Sequence, residues 1–209
     1  DQPGVRAGIV ALDAATGEQR WYFDPDEGQD ASGCVGIWSS PTVDLDRRLV
    51  FAGSANCTTA PDGWRDYSEA IFAIDLDTGR PRWHFQPRGP SNFDFDFAGA
   101  PNLFDVDQRA VVGLGGKDGV YYALDRETGE LVWKVEASVP RAQNPNFSTG
   151  GFIGATAVAD GVVVGGTAVD GPCPCLHGID TATGALAWQQ NAAAPTFAPS
   201  TIVNGVAFA

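Results

Sequence analysis

The residues of this sequence that could do chemistry together come from four separate segments. They are Trp38, Asn56, Asp94, Asp96 and Lys117. An indole can support a flat ring by stacking, and amide and carboxylate oxygens are the ligands that hard cations prefer. A carboxylate can also act as a general base, and an ammonium can stabilise developing negative charge. The set suits polar chemistry on a small ligand if the fold brings these segments to one place.

Each of these residues also has an ordinary structural interpretation. Asn56 could form an Asx turn, and Trp38 could belong to the core. Asp94 and Asp96 could lie in a solvated loop, and Lys117 could be a surface charge in a Lys-Asp-Gly turn. Their convergence on one side of the fold is what would favour a functional site.

A fourfold repeat indicates which elements would position the candidate residues. In each copy an aspartate is followed by Thr-Gly three and four residues later, and by a tryptophan four residues after the glycine. The tryptophans are Trp21, Trp83, Trp133 and Trp188. Their separation of roughly 50 to 60 residues is typical of a supersecondary repeat.

Each copy of the repeat reads as two strands around a tight turn. An apolar, β-branched or aromatic run precedes the aspartate, and a second short run carries the tryptophan. The aspartate can bond the downstream amides, and the glycine can adopt a positive φ. We expect the indole to wedge between neighbouring units, because one hairpin cannot bury it alone.

Two further strand candidates precede each complete hairpin, which gives the four antiparallel strands of a β-propeller blade. The predicted units are a half blade at 1–23, blades at 24–85, 86–136 and 137–190, and a half blade at 191–209. Such a set cannot close a ring. We therefore expect the chain to be part of a longer protein, or to close with a second chain.

Loop lengths predict which side of the propeller carries function. Connections from the first to the second strand of a blade, and from the third to the fourth, are short and lie on one side. The other connections lie on the opposite side and include the long irregular stretches, predicted at 24–37, 55–70, 86–99, 137–154 and 170–174. Long loops on a rigid scaffold are where binding sites are usually built.

Composition narrows the class of protein. The 209 residues include 13 basic and 26 acidic side chains, for a net charge of −13, which argues against nucleic acid or anionic lipid as a partner. No apolar run is long enough to predict a membrane span. The four cysteines suggest an oxidising, extracytoplasmic location.

The cysteines fall into two pairs. Cys34 and Cys57 lie at nearly equal distances from the turn predicted at Leu45–Arg48, so we expect them to face each other across a hairpin and form a disulfide. Cys173 and Cys175 are separated only by Pro174. They could bridge each other, pair with another chain or, less favourably, bind a metal.

The repeated hairpins resemble the tryptophan-docking repeats of quinoprotein propellers. This is the family of pyrroloquinoline-quinone (PQQ) dependent alcohol dehydrogenases, including polyvinyl-alcohol-dehydrogenase-like members. The resemblance covers essentially the whole chain, and the pattern ALDxxTGxxxW is specific for the fold. It implies an all-β β-propeller of four-stranded antiparallel blades, here a part of an eight-bladed ring.

The resemblance also implies roles for two of the candidate residues in one blade. The stretch from Gly36 to Asn56 is similar to the family's blade in which a tryptophan forms the floor under the quinone. An asparagine that closes the next strand of that blade binds the metal. These positions correspond to Trp38 and Asn56.

Two further segments resemble the rest of the family's site. The FDFDF segment is similar to the loop that carries the catalytic base, usually written Trp-Asp-x-Asp, although Phe93 stands in place of the tryptophan. Asp94 is then the base and a metal ligand, and Asp96 an additional ligand of the kind found in lanthanide-using members. Lys117 corresponds to the lysine or arginine that contacts the quinone oxygens.

The activity implied is oxidation of an alcohol by hydride transfer to PQQ, assisted by calcium or a lanthanide. A cytochrome or other carrier would accept the electrons, and the protein would be periplasmic or secreted. The alternative is a non-catalytic propeller that acts as a binding or assembly scaffold, like the outer-membrane assembly lipoproteins built on this repeat.

Overall fold

The computed structural model describes residues 7–27, 34–57, 64–89, 93–139, 142–144, 147–168 and 173–209, with backbone alone at 142–144, 147–149 and 173–174. The described chain is built from short antiparallel strands. In chain order they are β1 (Ile9–Leu12), β2 (Gln19–Phe23), β3 (Thr42–Asp44), β4 (Leu49–Gly53), β5 (Ile71–Asp75), β6 (Pro81–Phe85), β7 (Asn102–Val106), β8 (Arg109–Gly115), β9 (Val120–Asp125), β10 (Leu131–Glu136), β11 (Ala142–Asn144), β12 (Phe147–Thr149), β13 (Ala157–Ala159), β14 (Val162–Gly166), β15 (Cys173–Asp180), β16 (Leu186–Ala192), β17 (Thr201–Val203) and β18 (Val206–Phe208).

These strands form three four-stranded sheets in which neighbours in sequence are neighbours in space. The sheets have the orders β3-β4-β5-β6, β7-β8-β9-β10 and β13-β14-β15-β16, and two-stranded sheets β1-β2 and β17-β18 stand before and after them. Every pairing is antiparallel. The predicted all-β architecture of four-stranded antiparallel blades is confirmed.

Two loop predictions are wrong in part. Strands β11 and β12 form a small hairpin inside the stretch 137–154, which the sequence predicted to be irregular. Its strands are short and lack an alternation of apolar and polar residues, so no periodic signal marks them. The predicted loop at 170–174 is also shorter than expected, because β15 begins at Cys173.

The aspartate of each repeat organises a turn, as its position predicts. Oδ1 of Asp75 accepts hydrogen bonds from the backbone amides of Asp77 and Thr78, at 3.1 and 2.9 Å. The glycine that follows adopts a positive φ in all four copies, with values of 74°, 69°, 74° and 73°. A residue with a Cβ would be strained there, which explains why glycine recurs.

The tryptophan of each of the first three repeats docks on the next repeat. The indole N–H of Trp21 donates to the carbonyl oxygen of Leu76 at 2.9 Å, and Trp83 and Trp133 donate to Arg126 and Thr181 at 3.0 and 2.9 Å. Each ring also lies against the turn glycine of the next hairpin. A Cβ on Gly79, Gly129 or Gly184 would approach that ring to 2.6–2.7 Å. The predicted wedge between units is confirmed.

The core lies between successive sheets. Phe51 of β4 packs with Phe97 and with Leu114 and Tyr122 of the following sheet. Burial of such side chains stabilises the fold by about 1.5–3 kcal/mol each. Among the residues that the structure describes, no helix is long and apolar enough to cross a membrane.

Candidate functional site

Four connections on one side of the sheets carry the candidate residues. Trp38 precedes β3 and Asn56 follows β4, whereas Asp94 and Asp96 lie between β6 and β7. Lys117 lies in the connection from β8 to β9. Because consecutive antiparallel strands alternate in direction, these connections all emerge on the same side, which we call the loop face. The opposite side, which holds the Asp-Thr-Gly hairpin turns, is the turn face.

The structure brings the five candidate residues together around the Lys117 ammonium. Its Nζ donates to Oδ2 of Asp94 at 3.0 Å and to Oδ2 of Asp96 at 2.8 Å. The same Nζ lies 5.0 Å from the ring centroid of Trp38. The backbone N–H of Asn56 donates to Oδ1 of Asp96 at 2.8 Å.

The polar members of this group are buried, whereas the indole is half exposed. Asn56, Asp94, Asp96 and Lys117 are each at least nine-tenths buried, whereas Trp38 is 51% exposed. The solvated-loop and surface-charge interpretations therefore do not hold, and Trp38 is not a core residue. A half-exposed indole beside buried charges is an aromatic group on which a flat ligand can stack.

The Asp96 carboxylate and the Lys117 ammonium influence each other's pKa. Burial raises the pKa of Asp96, Lys117 opposes that rise and the nearby Asp94 carboxylate adds to it. Burial by itself would lower the pKa of Lys117, but the two carboxylates outweigh it and raise that pKa above its ordinary value. Lys117 is therefore a charged ammonium at neutral pH.

Backbone hydrogen bonds hold the FDFDF loop between two sheets. The N–H of Phe97 donates to the carbonyl oxygen of Ser54 at 3.0 Å, and the N–H of Lys117 donates to that of Asp96 at 3.0 Å. The loop is therefore fixed to both the Asn56 and Lys117 segments. This explains how residues 40 and 21 positions from Asp96 in sequence meet at its side chain.

Glu69 and Arg88, which the sequence did not single out, bond the backbone at the centre of this loop. Oε1 of Glu69 accepts the backbone N–H of Phe95 at 2.8 Å, and Nη2 of Arg88 donates to the Phe95 carbonyl oxygen at 3.0 Å. The Arg88 guanidinium also lies 4.9 Å from the centroid of the Phe95 ring. Asp94 and Asp96 flank Phe95, so this grip fixes the backbone on which both carboxylates stand.

Glu69 and Arg88 belong to a wider network. Nε of Arg88 lies 3.4 Å from Oε2 of Glu69, and Nη1 of Arg88 donates to Asp118, which also accepts the hydroxyl of Tyr122 at 2.7 Å. Burial raises the pKa of Glu69 to about 7 against the opposing effect of Arg88. The one sequence feature that could have pointed to Glu69 and Arg88 is their position in predicted long loops, because neither belongs to a recognisable motif.

The predicted disulfide between Cys34 and Cys57 is confirmed, with the Cα atoms 4.9 Å apart. Oδ2 of Asp26 accepts the backbone N–H of Cys34 at 2.8 Å. The disulfide ties the end of the Asn56 segment to the segment that leads to Trp38. Cys175 is disulfide-bonded as well, and the Cys173 side chain lies outside the described residues.

The donor set for a cation consists of oxygens. Among the residues that the structure describes, no group of three or more His, Cys, Asp and Glu could hold a metal ion. The side chains of Asp94, Asp96 and Asn56 carry oxygens of the kind that calcium and other hard cations prefer.

Two protein-family models match the chain. The PQQ profile, described as the β-propeller domain of glucose/ethanol/alcohol dehydrogenases, matches residues 5–150. A second profile, described as outer membrane protein assembly factor BamB, matches residues 116–209. The first match contains all five candidate residues, and the second contains only Lys117.

Two curated relatives are alcohol-oxidising enzymes by name. The polyvinylalcohol dehydrogenase of Sphingopyxis sp. (strain 113P3) is 33% identical over 88% of this chain and 33% of its own length. The quinohemoprotein alcohol dehydrogenase of Comamonas testosteroni is 29% identical over 62% of this chain and 23% of its own length. The chain spans about a third or less of the length of these relatives.

Solved structures share the fold. The Comamonas testosteroni quinohemoprotein alcohol dehydrogenase superposes with a TM-score of 0.57 and 17% identity, over 98% of this chain and 52% of that one. A europium-containing methanol dehydrogenase superposes with a TM-score of 0.53 and 17% identity, over 94% of this chain and 59% of that one.

Proposed function

Because this chain belongs to the PQQ family of dehydrogenase β-propeller domains, we propose that it forms part of a PQQ-dependent dehydrogenase. The proposed reaction is oxidation of an alcohol by hydride transfer to the quinone, with calcium or a lanthanide as the assisting cation. The substrate class is suggested by relatives named as alcohol dehydrogenases. We also propose an extracytoplasmic location and a cytochrome or similar carrier as the electron acceptor.

One observation carries this proposal. Two buried carboxylates and a buried ammonium meet beside a half-exposed indole, although three separate connections supply them. Removing such charges from water is expensive unless each is paired. A propeller that served only as a scaffold could place apolar residues here at no loss of stability, so the buried charges are best explained by a chemical role.

The described residues offer an aromatic surface for PQQ and side-chain oxygens for the cation. The half-exposed indole of Trp38 would support the quinone ring by stacking, and the Lys117 ammonium, 5.0 Å from the centroid of that indole, would contact quinone oxygens. Asn56, Asp94 and Asp96 would contribute oxygens to the cation. When bound, PQQ supplies the two-electron acceptor and the cation polarises a carbonyl as a Lewis acid.

The residues of the chain would then divide the remaining work. The Asp94 carboxylate takes the proton from the alcohol hydroxyl, which allows the carbon to release its hydride as the carbonyl forms. Lys117 stabilises negative charge that develops near Trp38. Glu69 and Arg88 hold the Asp94 backbone in place, so that the base keeps a fixed direction.

The test is dye-linked alcohol oxidation by the full-length protein supplied with PQQ and either calcium or a lanthanide. Asp94→Asn should lower the rate by about 10²–10⁴-fold, the usual contribution of a general base. Asp107→Asn is the matched control, since Asp107 is an exposed residue of the turn face. Absence of turnover, or turnover that Asp94→Asn leaves unchanged, would contradict the proposal.

The alternative is a non-catalytic propeller that acts as a binding or assembly scaffold. It is favoured by the match of residues 116–209 to the BamB profile. That match leaves out Trp38, Asn56, Asp94 and Asp96, so it does not account for the buried charges. A scaffold would bind neither PQQ nor the cation at these residues, which equilibrium titration of the full-length protein distinguishes.

A further inference from the structure

The Lys117 ammonium occupies the position where a metal ion would have to bind. It bonds Oδ2 of Asp94 and Oδ2 of Asp96 together, at 3.0 and 2.8 Å. The other oxygen of Asp96 accepts the Asn56 backbone N–H at 2.8 Å. Both oxygens of Asp96 are thus engaged, one of them by a positive charge.

A metal ion and this ammonium would compete for the same oxygens. Calcium binds oxygen at about 2.3–2.6 Å, so a cation shared by the two carboxylates would lie within a few ångströms of Nζ. Two positive charges that close repel each other strongly in a site where little water penetrates. Both cannot hold these oxygens in the geometry seen here.

The Trp38 indole offers the displaced ammonium a second favourable position. Nζ already lies 5.0 Å from the centroid of the Trp38 ring, and the indole is half exposed. A lysine carries its charge on a flexible four-carbon stem, and a cation is attracted to an indole face. A rotation of the side chain would move the charge away from the carboxylates and closer to the Trp38 ring.

We propose that the Lys117 ammonium takes the place of the metal in the metal-free protein. Metal binding then displaces the ammonium toward Trp38. The ammonium neutralises the two carboxylates until a hard divalent or trivalent cation takes over. The same exchange delivers a positive charge to the side where the quinone would stack. This inference rests on the proposed function, because it takes Asp94 and Asp96 as metal ligands.

The test is calorimetric titration of the full-length, PQQ-free protein with lanthanum and with calcium. Lys117→Met keeps much of the side-chain length and removes the competing charge, so it should bind each cation at least about tenfold more tightly than the wild type. Lys134→Met is the matched control, because Lys134 is the other lysine of the chain and lies exposed on β10. It should bind as the wild type does.

A second measurement uses the wild-type protein, so the inference can be tested even if Lys117→Met fails to fold. The Lys117 ammonium signal, assigned by NMR through its loss in Lys117→Gln, should shift as one equivalent of lanthanum is added. Equal or weaker binding by folded Lys117→Met, an unshifted ammonium signal, or no cation binding by any form would overturn the inference.

The exchange and the proposed function can fail separately. Turnover with PQQ and metal but no effect of Lys117→Met on cation affinity would overturn the exchange alone. Tighter binding by Lys117→Met in a protein that never oxidises alcohols would support the exchange and leave a cation site on a non-catalytic propeller.

Discussion

The turn face and the loop face use carboxylates in opposite ways. On the turn face, the hydrogen bond from Arg20 and those from the turn amides lower the pKa of Asp13, and a hydrogen bond from Thr183 lowers that of Asp180. On the loop face, burial raises the pKa of Glu69 and of Asp96. The first group forms turns while partly exposed to water. The second is kept out of water at a cost to stability, which is the pattern expected of a functional site.

The largest expected difference between the two faces concerns their arginines. Arg88→Ala removes the partner of Glu69 and Asp118 and the donor to Phe95, so it should destabilise the protein by about 3 kcal/mol. On the turn face, Arg82 contacts Asp75 at 3.4 Å and its side chain is 46% exposed. Arg82→Ala should therefore cost less than about 1 kcal/mol. Urea denaturation measures both, and equal costs would remove the distinction between the faces.

The second difference is a dependence of stability on pH that arises from Glu69. Its pKa is about 7 when folded and near 4.5 when exposed. Between these values the folded protein holds a proton that the unfolded chain loses. The contribution is complete below pH 4.5 and disappears as the pH rises through 7, for a total of up to about 3 kcal/mol.

This pH dependence can be isolated by substitution. Glu69→Gln should flatten the fall in urea midpoint between pH 5 and 8 relative to the wild type. Glu127→Gln is the control, because the Glu127 side chain is 59% exposed on the turn face. A slope unchanged by Glu69→Gln would show that this carboxyl titrates as an ordinary one.

A smaller effect distinguishes two turn glycines that share a conformation. Gly17 and Gly129 both have a φ of 74°. A Cβ on Gly17 meets nothing within 4 Å, whereas one on Gly129 would lie 2.7 Å from the Trp83 ring. Gly17→Ala should cost about 1 kcal/mol from backbone strain, and Gly129→Ala about 2–3 kcal/mol because the indole must also shift. Thermal denaturation that ranks them equally would argue against docking as the reason for the second glycine.

The smallest expected effect is that of a single turn hydroxyl. Oγ1 of Thr128 donates to Oδ1 of Asp125 at 3.3 Å and accepts the N–H of Glu130 at 3.2 Å. Thr128→Val keeps the shape and removes both bonds on an exposed turn, so it should cost less than about 1 kcal/mol. A loss as large as that of Arg88→Ala would mean that the turn face is as tightly coupled as the loop face.

The turn face was predictable because its interactions are local. An aspartate that bonds amides two and three residues ahead leaves the same spacing in every copy, and the glycine and tryptophan follow at fixed positions. The pairing of Cys34 with Cys57 was predictable for a related reason, since a hairpin fixes which residues face each other.

The loop face was predictable only in part. Residue chemistry and loop placement selected Trp38, Asn56, Asp94, Asp96 and Lys117, and resemblance to a family gave them roles. Nothing in their spacing shows that one ammonium bridges both carboxylates. Glu69 and Arg88 were missed because they bond the backbone of Phe95 in a different segment, and such a non-local contact leaves no pattern in sequence. Contacts between distant loops depend on the path of the whole chain.

The hydrogen bonds from the first three tryptophans to the following repeats also bear on the order in which the blades are completed during synthesis. The acceptors for Trp21, Trp83 and Trp133 lie 55, 43 and 48 residues further along the chain. During translation each of these indoles is therefore synthesised before its acceptor. The indole of the most recently synthesised blade has no acceptor until the next blade follows. The growing chain therefore exposes one aromatic edge at each stage, and a chaperone would bind such a surface.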